Sequence, residues 1–245
     1  MKKYSFIFVV LLLLSACSKA YLIYDVETNQ LPIHADYPNK DEEIESIISP
    51  YRDDLASTMN KVIARVEIDL FKDKPSSSLG NLLADATLAM ASEYTHSSID
   101  IGIINYGGIR VPSLTKGPVT IGNVYELMPF DNYLVVLSLT GKQVQSMLDA
   151  IAASGGWPVA GVTFTIKDNT ADDVQINGKR LHNESTYRIA ISDYLANGGD
   201  NMNMLKGLPQ ENTNVLLRDA FKAYFEDFSN HDQALPYINE MRIIK

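Results

Sequence analysis

From Asp41 onward the apolar residues of this chain keep changing period. Stretches with three- and four-residue spacing alternate with short continuous or alternating runs. The first pattern belongs to helices and the second to strands. The chain must therefore fold as an α/β or α+β domain in which both element types share a core. The longest helical pattern covers 41–62, where Ile44, Ile47, Ile48, Tyr51, Leu55, Met59 and Val62 recur on one face; Pro50 is expected to kink or divide it. A second begins after Ser76, Ser77 and Ser78, which offer N-cap hydroxyls, and carries Leu79, Leu82, Leu83, Ala86 and Met90. Others cover 142–153 and 216–228. Strand-like runs cover 62–70, 99–105, 133–139, 162–166 and 187–192. Residues 119–127 read as a strand turning into a short helix that stops at Pro129. Asn177-Gly178 after 174–176 signals a hairpin, and 197–200 reads as a loop.

The first forty residues follow a different rule. Lys2 and Lys3 precede an apolar run at 6–14, too short to cross a bilayer, which takes roughly 20 apolar residues, but suited to a leader peptide. It ends Leu14-Ser15-Ala16-Cys17, which resembles a bacterial lipobox. On that reading 1–16 is a signal peptide, Cys17 is acylated as the first mature residue, and 17–40 is a tether with one possible strand at 21–26. The alternative is an ordinary secretory leader with an incidental cysteine. Cys17 is the only cysteine in the chain, so it has no disulfide partner within it. Lipid anchoring would place the protein in the envelope of a Gram-negative-type bacterium. Ser18, where aspartate would favour the inner membrane, points to the outer one. Residues 41–245 form the folded domain.

Composition narrows the partners. Nearly half the residues are apolar (46%), enough for a sizeable core. The net charge is −9, or −11 once Lys2 and Lys3 are removed. That balance argues against nucleic acid and anionic lipid surfaces as partners. An anionic small ligand would have to be met by local cations.

The usual hydrolytic constellations are missing from the sequence. His34, His96, His182 and His231 lie far apart, outside H-E-x-x-H or any His-rich tract. His34 and Asp36 make only a weak ligand pair, within the tether. There is no G-x-S-x-G elbow and no G-x-x-x-x-G-K-[ST] loop. A carboxylate pair stays open.

Three segments carry more information. The first is Ser78-Leu-Gly-Asn-Leu-Leu-Ala-Asp-Ala, ending at Ala86. The second is Asn105-Tyr-Gly-Gly-Ile-Arg, ending at Arg110, followed by Val119-Thr-Ile-Gly-Asn-Val and Leu127-Met-Pro-Phe-Asp-Asn. The third is Tyr187-Arg-Ile-Ala-Ile-Ser-Asp-Tyr-Leu-Ala-Asn-Gly-Gly-Asp, ending at Asp200. In order and spacing they resemble the C-terminal domain family of 5′-nucleotidases, over roughly 41–208. The resemblance implies a four-layer α/β/β/α domain that presents a nucleoside to a metallophosphoesterase. It implies a base stacked between Phe130 and Tyr194, Asn105 near the base with Gly108 beside it, Arg110 near the ribose, and Asp200 accepting from the ribose hydroxyls. The residue types suit these tasks: stacking is worth about 1–3 kcal/mol per base and tolerates different bases, and a carboxylate offers two acceptor oxygens to a diol.

Each of these residues also has a plainer reading. Phe130 could be a core ring, Arg110 an ordinary salt-bridge partner, and Asp200 an Asx cap. The sequence departs from the family pattern in Asn201 after Asp200, in tyrosine at 194, and in Lys72-Asp-Lys-Pro75 where the family often has an arginine. It also contains neither D-x-H nor G-N-H-[DE], the metallophosphoesterase motifs. The expectation is one half of a split envelope 5′-nucleotidase, with no cofactor in this chain and a divalent metal in a separate metallophosphoesterase partner. The rivals are a nucleoside or nucleotide-sugar binding lipoprotein that works without a hydrolase, and a degenerate envelope interaction module.

Overall fold

The computed structural model describes residues 41–245. The leader, Cys17, the 17–40 tether with its strand at 21–26, and the His34/Asp36 pair lie outside the described residues. Ser49–Lys245 forms one compact unit.

In chain order the elements are α1 (Glu42–Met59), β1 (Val62–Val66), β2 (Leu70–Phe71), α2 (Ser78–Thr95), β3 (Ile101–Ile103), β4 (Ser113–Leu114), β5 (Gly117–Thr120), α3 (Ile121–Leu127), β6 (Tyr133–Thr140), α4 (Gly141–Ala153), β7 (Val159–Ala160), β8 (Val162–Lys167), β9 (Thr170–Ile176), β10 (Lys179–Arg180), β11 (Thr186–Ser192), α5 (Asp193–Ala196), β12 (Gln210–Leu216), α6 (Leu217–Asn230) and β13 (Ile243–Ile244). The mixed α/β architecture expected from the changing period is present. A five-stranded sheet runs β12-β6-β11-β3-β7 and a four-stranded one β10-β9-β8-β13, with two-stranded ribbons β1-β5 and β2-β4. In the large sheet β3 and β11 are parallel and every other pair is antiparallel.

Successive side chains of a strand point to opposite faces, and the large sheet buries both. Leu134 and Val136 of β6 and Ala190 of β11 face a core built with α2 and α6. Val135, Leu137, Leu139, Ile189 and Ile191 face a second core closed by α4 and the small sheet. This explains why 133–139 and 187–192 read as nearly unbroken apolar runs. Helix α4 also bonds the small sheet directly: Gln145 Nε2 donates to the Ala171 carbonyl at 2.7 Å, and Asp149 accepts the Ala171 N–H at 2.9 Å.

Helix starts follow local chemistry. Ser77 caps α2 by accepting the Gly80 N–H. Thr120 with Asn123 and Thr140 with Gln143 form capping boxes for α3 and α4. Asn177 (φ 49°) and Gly178 (φ 74°) both adopt the left-handed conformation of a tight β9–β10 hairpin.

Several expectations need correction. Of the two outcomes expected at Pro50, division does not occur: helix α1 runs from Glu42 to Met59 with the proline inside it. The run 62–70 is two strands: Asp69 leaves the ladder to accept the Lys116 N–H at 2.6 Å, and β1 and β2 pair with different partners. The 99–105 run contracts to β3. Among the described residues, no helix is long and apolar enough to cross a membrane.

Candidate functional site

Strand topology gathers the site. Strands β3 and β11 are parallel neighbours, with Ile101 opposite Ile189, so their carboxyl ends emerge side by side. Strand β6 is antiparallel to β11, with Leu134 opposite Ser192, which brings its amino end to the same edge. Asn105 follows β3 by two residues, Tyr194 follows β11 by two, and Phe130 precedes β6 by three. The carboxyl ends of parallel strands are the usual place for a ligand crevice in α/β sheets.

An open cleft of about 290 Å³ lies there, and Asn105, Gly108, Arg110, Phe130, Tyr194 and Asp200 all line it. Gly107 and Asn132 complete the wall. Asn132 ends the Leu127–Asn132 motif, so a signal for it was present in the sequence although it was not singled out there. Both rings face the opening, Phe130 at 36% and Tyr194 at 43% exposure, so Phe130 is not a core ring.

Asp200 ties Asn105 and Tyr194 together. Asn105 Nδ2 donates to Asp200 Oδ2 at 2.7 Å, and the Tyr194 hydroxyl donates to Oδ1 at 2.8 Å. The Asp200 N–H donates back to the Tyr194 hydroxyl at 3.3 Å. The carboxylate is thus bonded to two other residues that line the cleft and not to the backbone of its own turn, unlike an Asx cap. The hydrogen bond to Asp200, with burial second, pushes the Tyr194 phenol above its ordinary pKa. Gly199 lets this loop fold under the ring, since a Cβ there would sit 2.4 Å from Tyr194 Cζ. At Gly108 a Cβ would meet Asn105 Oδ1 at 2.6 Å; this glycine makes room for the asparagine side chain.

Arg110 has no carboxylate partner among the described residues. Its Nη1 donates to the Gly107 carbonyl at 3.3 Å, and the guanidinium lies 5.7 Å from the Phe130 ring centroid. Two lysines that follow β2 stand beside this wall. Lys72 Nζ donates to the Ile109 carbonyl at 2.7 Å, and Lys72 and Lys74 lie 4.0 and 4.8 Å from the Tyr106 ring centroid. Burial first, then Arg110 and Lys74, lowers the Lys72 ammonium below its ordinary 10.5.

The Ser78–Ala86 motif does not reach the cleft. Asn81, buried, donates to the Ile238 and Glu240 carbonyls at 3.2 and 2.9 Å, and Asp85 takes both terminal nitrogens of Arg242 at 2.6 and 2.9 Å. These residues fasten the C-terminal tail to α2. Among the described residues, no three His, Cys, Asp or Glu side chains cluster closely enough to hold a metal ion.

Fold and cleft define a mixed α/β domain with an open cleft at the ends of its central strands, lined by two exposed aromatic rings, a hydrogen-bonded carboxylate and an arginine. The family described as "5′-nucleotidase, C-terminal domain" matches residues 59–207, and the chain belongs to that family. It is similar to Protein UshA of Escherichia coli (strain K12), 30% identical over 203 residues, which cover 79% of this chain and 36% of that protein. It is also similar to the trifunctional nucleotide phosphoesterase protein YfkN of Bacillus subtilis (strain 168), at 31% identity over 69% of this chain and 13% of that one. The crystal structure of the 5′-nucleotidase precursor from Thermus thermophilus superposes with a TM-score of 0.71 at 27% identity, over 84% of this chain and 43% of its own. The chain therefore spans less than half the length of each of these relatives.

Proposed function

We propose that the cleft holds a nucleoside or nucleotide with its base between Phe130 and Tyr194, and that this domain is the substrate-recognition half of a 5′-nucleotidase-type phosphohydrolase. One observation carries the reading: six residues from the second and third motif segments, spread from Asn105 to Asp200, line a single open cleft. Each then has a chemical task. The rings supply stacking faces. Asp200 holds one donor on each oxygen and, with about four acceptor sites on a carboxylate, keeps room for a ribose diol. Arg110, without a carboxylate partner among the described residues, is the local cation that a net charge of −9 makes necessary for an anionic ligand. The related nucleotidase and phosphoesterase proteins favour the same ligand class.

These 245 residues contain neither D-x-H nor G-N-H-[DE]. We assign hydrolysis to a separate metallophosphoesterase, which would bring the divalent metal and the attacking water, while this chain's own residues bind and orient the substrate. The Cys17 lipid anchor would keep the domain at the envelope, on the outer membrane.

Two stacking contacts and a few hydrogen bonds, set against the cost of immobilising the ligand, correspond to roughly micromolar to millimolar affinity. Calorimetric titration of the purified domain with AMP should fall in that range, and Phe130→Ala should weaken it about tenfold, within the 1–3 kcal/mol of one stacking face. Unchanged affinity in Phe130→Ala would count against the stacking role. AMP hydrolysis by this chain alone, surviving that substitution, would overturn the division of labour. Co-purification with a metallophosphoesterase would support it.

A further inference from the structure

Phe130 sits on an irregular strap, Phe130–Asn132, between α3 and β6. Nothing in the strap's own sequence holds an exposed ring in one pose, so the constraint must come from behind. It comes from the first turn of α6. Arg218 Nη1 reaches the Phe130 carbonyl at 3.5 Å, Arg218 Nη2 donates to Asp131 Oδ1 at 2.7 Å, and the Leu217 N–H donates to the Asn132 carbonyl at 2.8 Å. Three consecutive strap residues are thus gripped by two consecutive helix residues. The Arg218 guanidinium also lies 4.3 Å from the Tyr125 ring centroid on α3, and so is fixed on the side of the helix that leads into the strap. At the other end of the strap, the Tyr133 N–H donates to Asp193 Oδ1 at 3.1 Å, one residue before Tyr194.

Arg218 holds this place at a cost. The residue is only 8% exposed, and its Nε is a buried nitrogen without a hydrogen-bond partner. A buried donor left without a partner is unfavourable, so an apolar side chain would fill the space more cheaply. What an apolar side chain lacks is the planar fork that reaches a carbonyl and a carboxylate together and stacks on an aromatic face.

We propose that Arg218 is a positioning residue that sets the pose of Phe130, and through it the width of the cleft. This rests on the reading of the cleft as a nucleoside site. Arg218 does not line the cleft; it acts through the strap.

The test uses Arg218→Met, Arg218→Lys and Asp131→Asn in the purified domain. Asp131 has an exposed carboxylate (79%), so its variant keeps the question answerable if Arg218→Met fails to fold. The first readout needs no ligand: aromatic ring NMR signals of 13C-phenylalanine-labelled protein, with Phe130 assigned by Phe130→Leu. The Phe130 ring should lose its order in Arg218→Met and partly in Asp131→Asn, with lysine restoring it only in part. The second is adenosine titration. Arg218→Met should weaken binding about tenfold in the wild-type background but less than about twofold in Phe130→Ala, because residues acting as a unit are non-additive. Unchanged Phe130 signals in both Arg218→Met and Asp131→Asn would overturn the proposal, as would an equal loss of affinity in both backgrounds. If Phe130→Ala leaves adenosine binding untouched, the nucleoside reading fails instead, and the ring signals still decide the role of Arg218.

Discussion

Asp200 concentrates the chemistry of this domain in one side chain. Its backbone is left-handed (φ 48°, ψ 40°), and Asn201 beside it has φ 69°. Asparagine tolerates this region better than other residues with a Cβ, so Asn201, where the sequence departs from the family pattern, keeps the turn intact. The Tyr194 hydroxyl, absent from a phenylalanine, ties the stacking ring to that carboxylate. A second residue-scale feature has a pH signature. Lys72 is held below its ordinary pKa of 10.5 by burial, Arg110 and Lys74, with the Tyr106 ring favouring the charged form against them. The unfolded chain keeps this proton to higher pH than the folded one, so stability rises as pH climbs from the folded value towards 10.5. The advantage of wild type over Lys72→Met in urea midpoint should therefore be larger at about pH 10.5 than at about pH 8. The cleft residues were legible because each lies in a short motif whose order survives in the chain. Arg218 was not, since the Asp131 it grips lies 87 positions away and nothing local marks it.

Among the elements, periodicity identified helices more reliably than it identified what they bury. Helix α1 has the spacing of an amphipathic helix, yet none of its side chains is buried, and Ile44, Ile47, Ile48, Tyr51 and Leu55 stand exposed. The pattern reports a stripe that can be covered and says nothing of what covers it. Leu55→Asp should therefore shift unfolding stability by no more than about 0.5 kcal/mol, the range for surface substitutions, as read from denaturant midpoints. A large loss would mean the face is packed in solution. Strand β12 shows the reverse. Its sequence, Gln210-Glu-Asn-Thr-Asn-Val-Leu, has no strand pattern, because it is an edge strand paired on one side only and draws its stability from the β6 ladder. The 62–70 run divided for a related reason: ladder partners, not local propensity, decide where a strand stops.

Across the whole molecule, the C-terminal segment is stitched into elements far from it in the chain. Strand β13 adds to the small sheet beside β8. Arg242, 9% exposed, pairs with Asp85 on α2 and donates to the Val159 carbonyl of β7 at 2.9 Å. Removing one member of a buried pair leaves the other uncompensated and costs about 3–5 kcal/mol; because the Asp85 side chain is 28% exposed, Arg242→Met should cost about 3 kcal/mol, the lower end of that range. Thermal or urea unfolding checks it, and a change under about 1 kcal/mol would show the staple to be dispensable. By itself the sequence determined the alternation of helix and strand, the serine cap of α2, the β9–β10 hairpin and the motif residues of the cleft, because each depends on side chains within a few positions of one another. Only the tertiary structure decided that those motifs meet at one sheet edge, that Asn81 and Asp85 serve the C-terminal tail, and that Arg218 stands behind Phe130. Those juxtapositions come from strand order and helix packing across the whole chain, which no local spacing encodes.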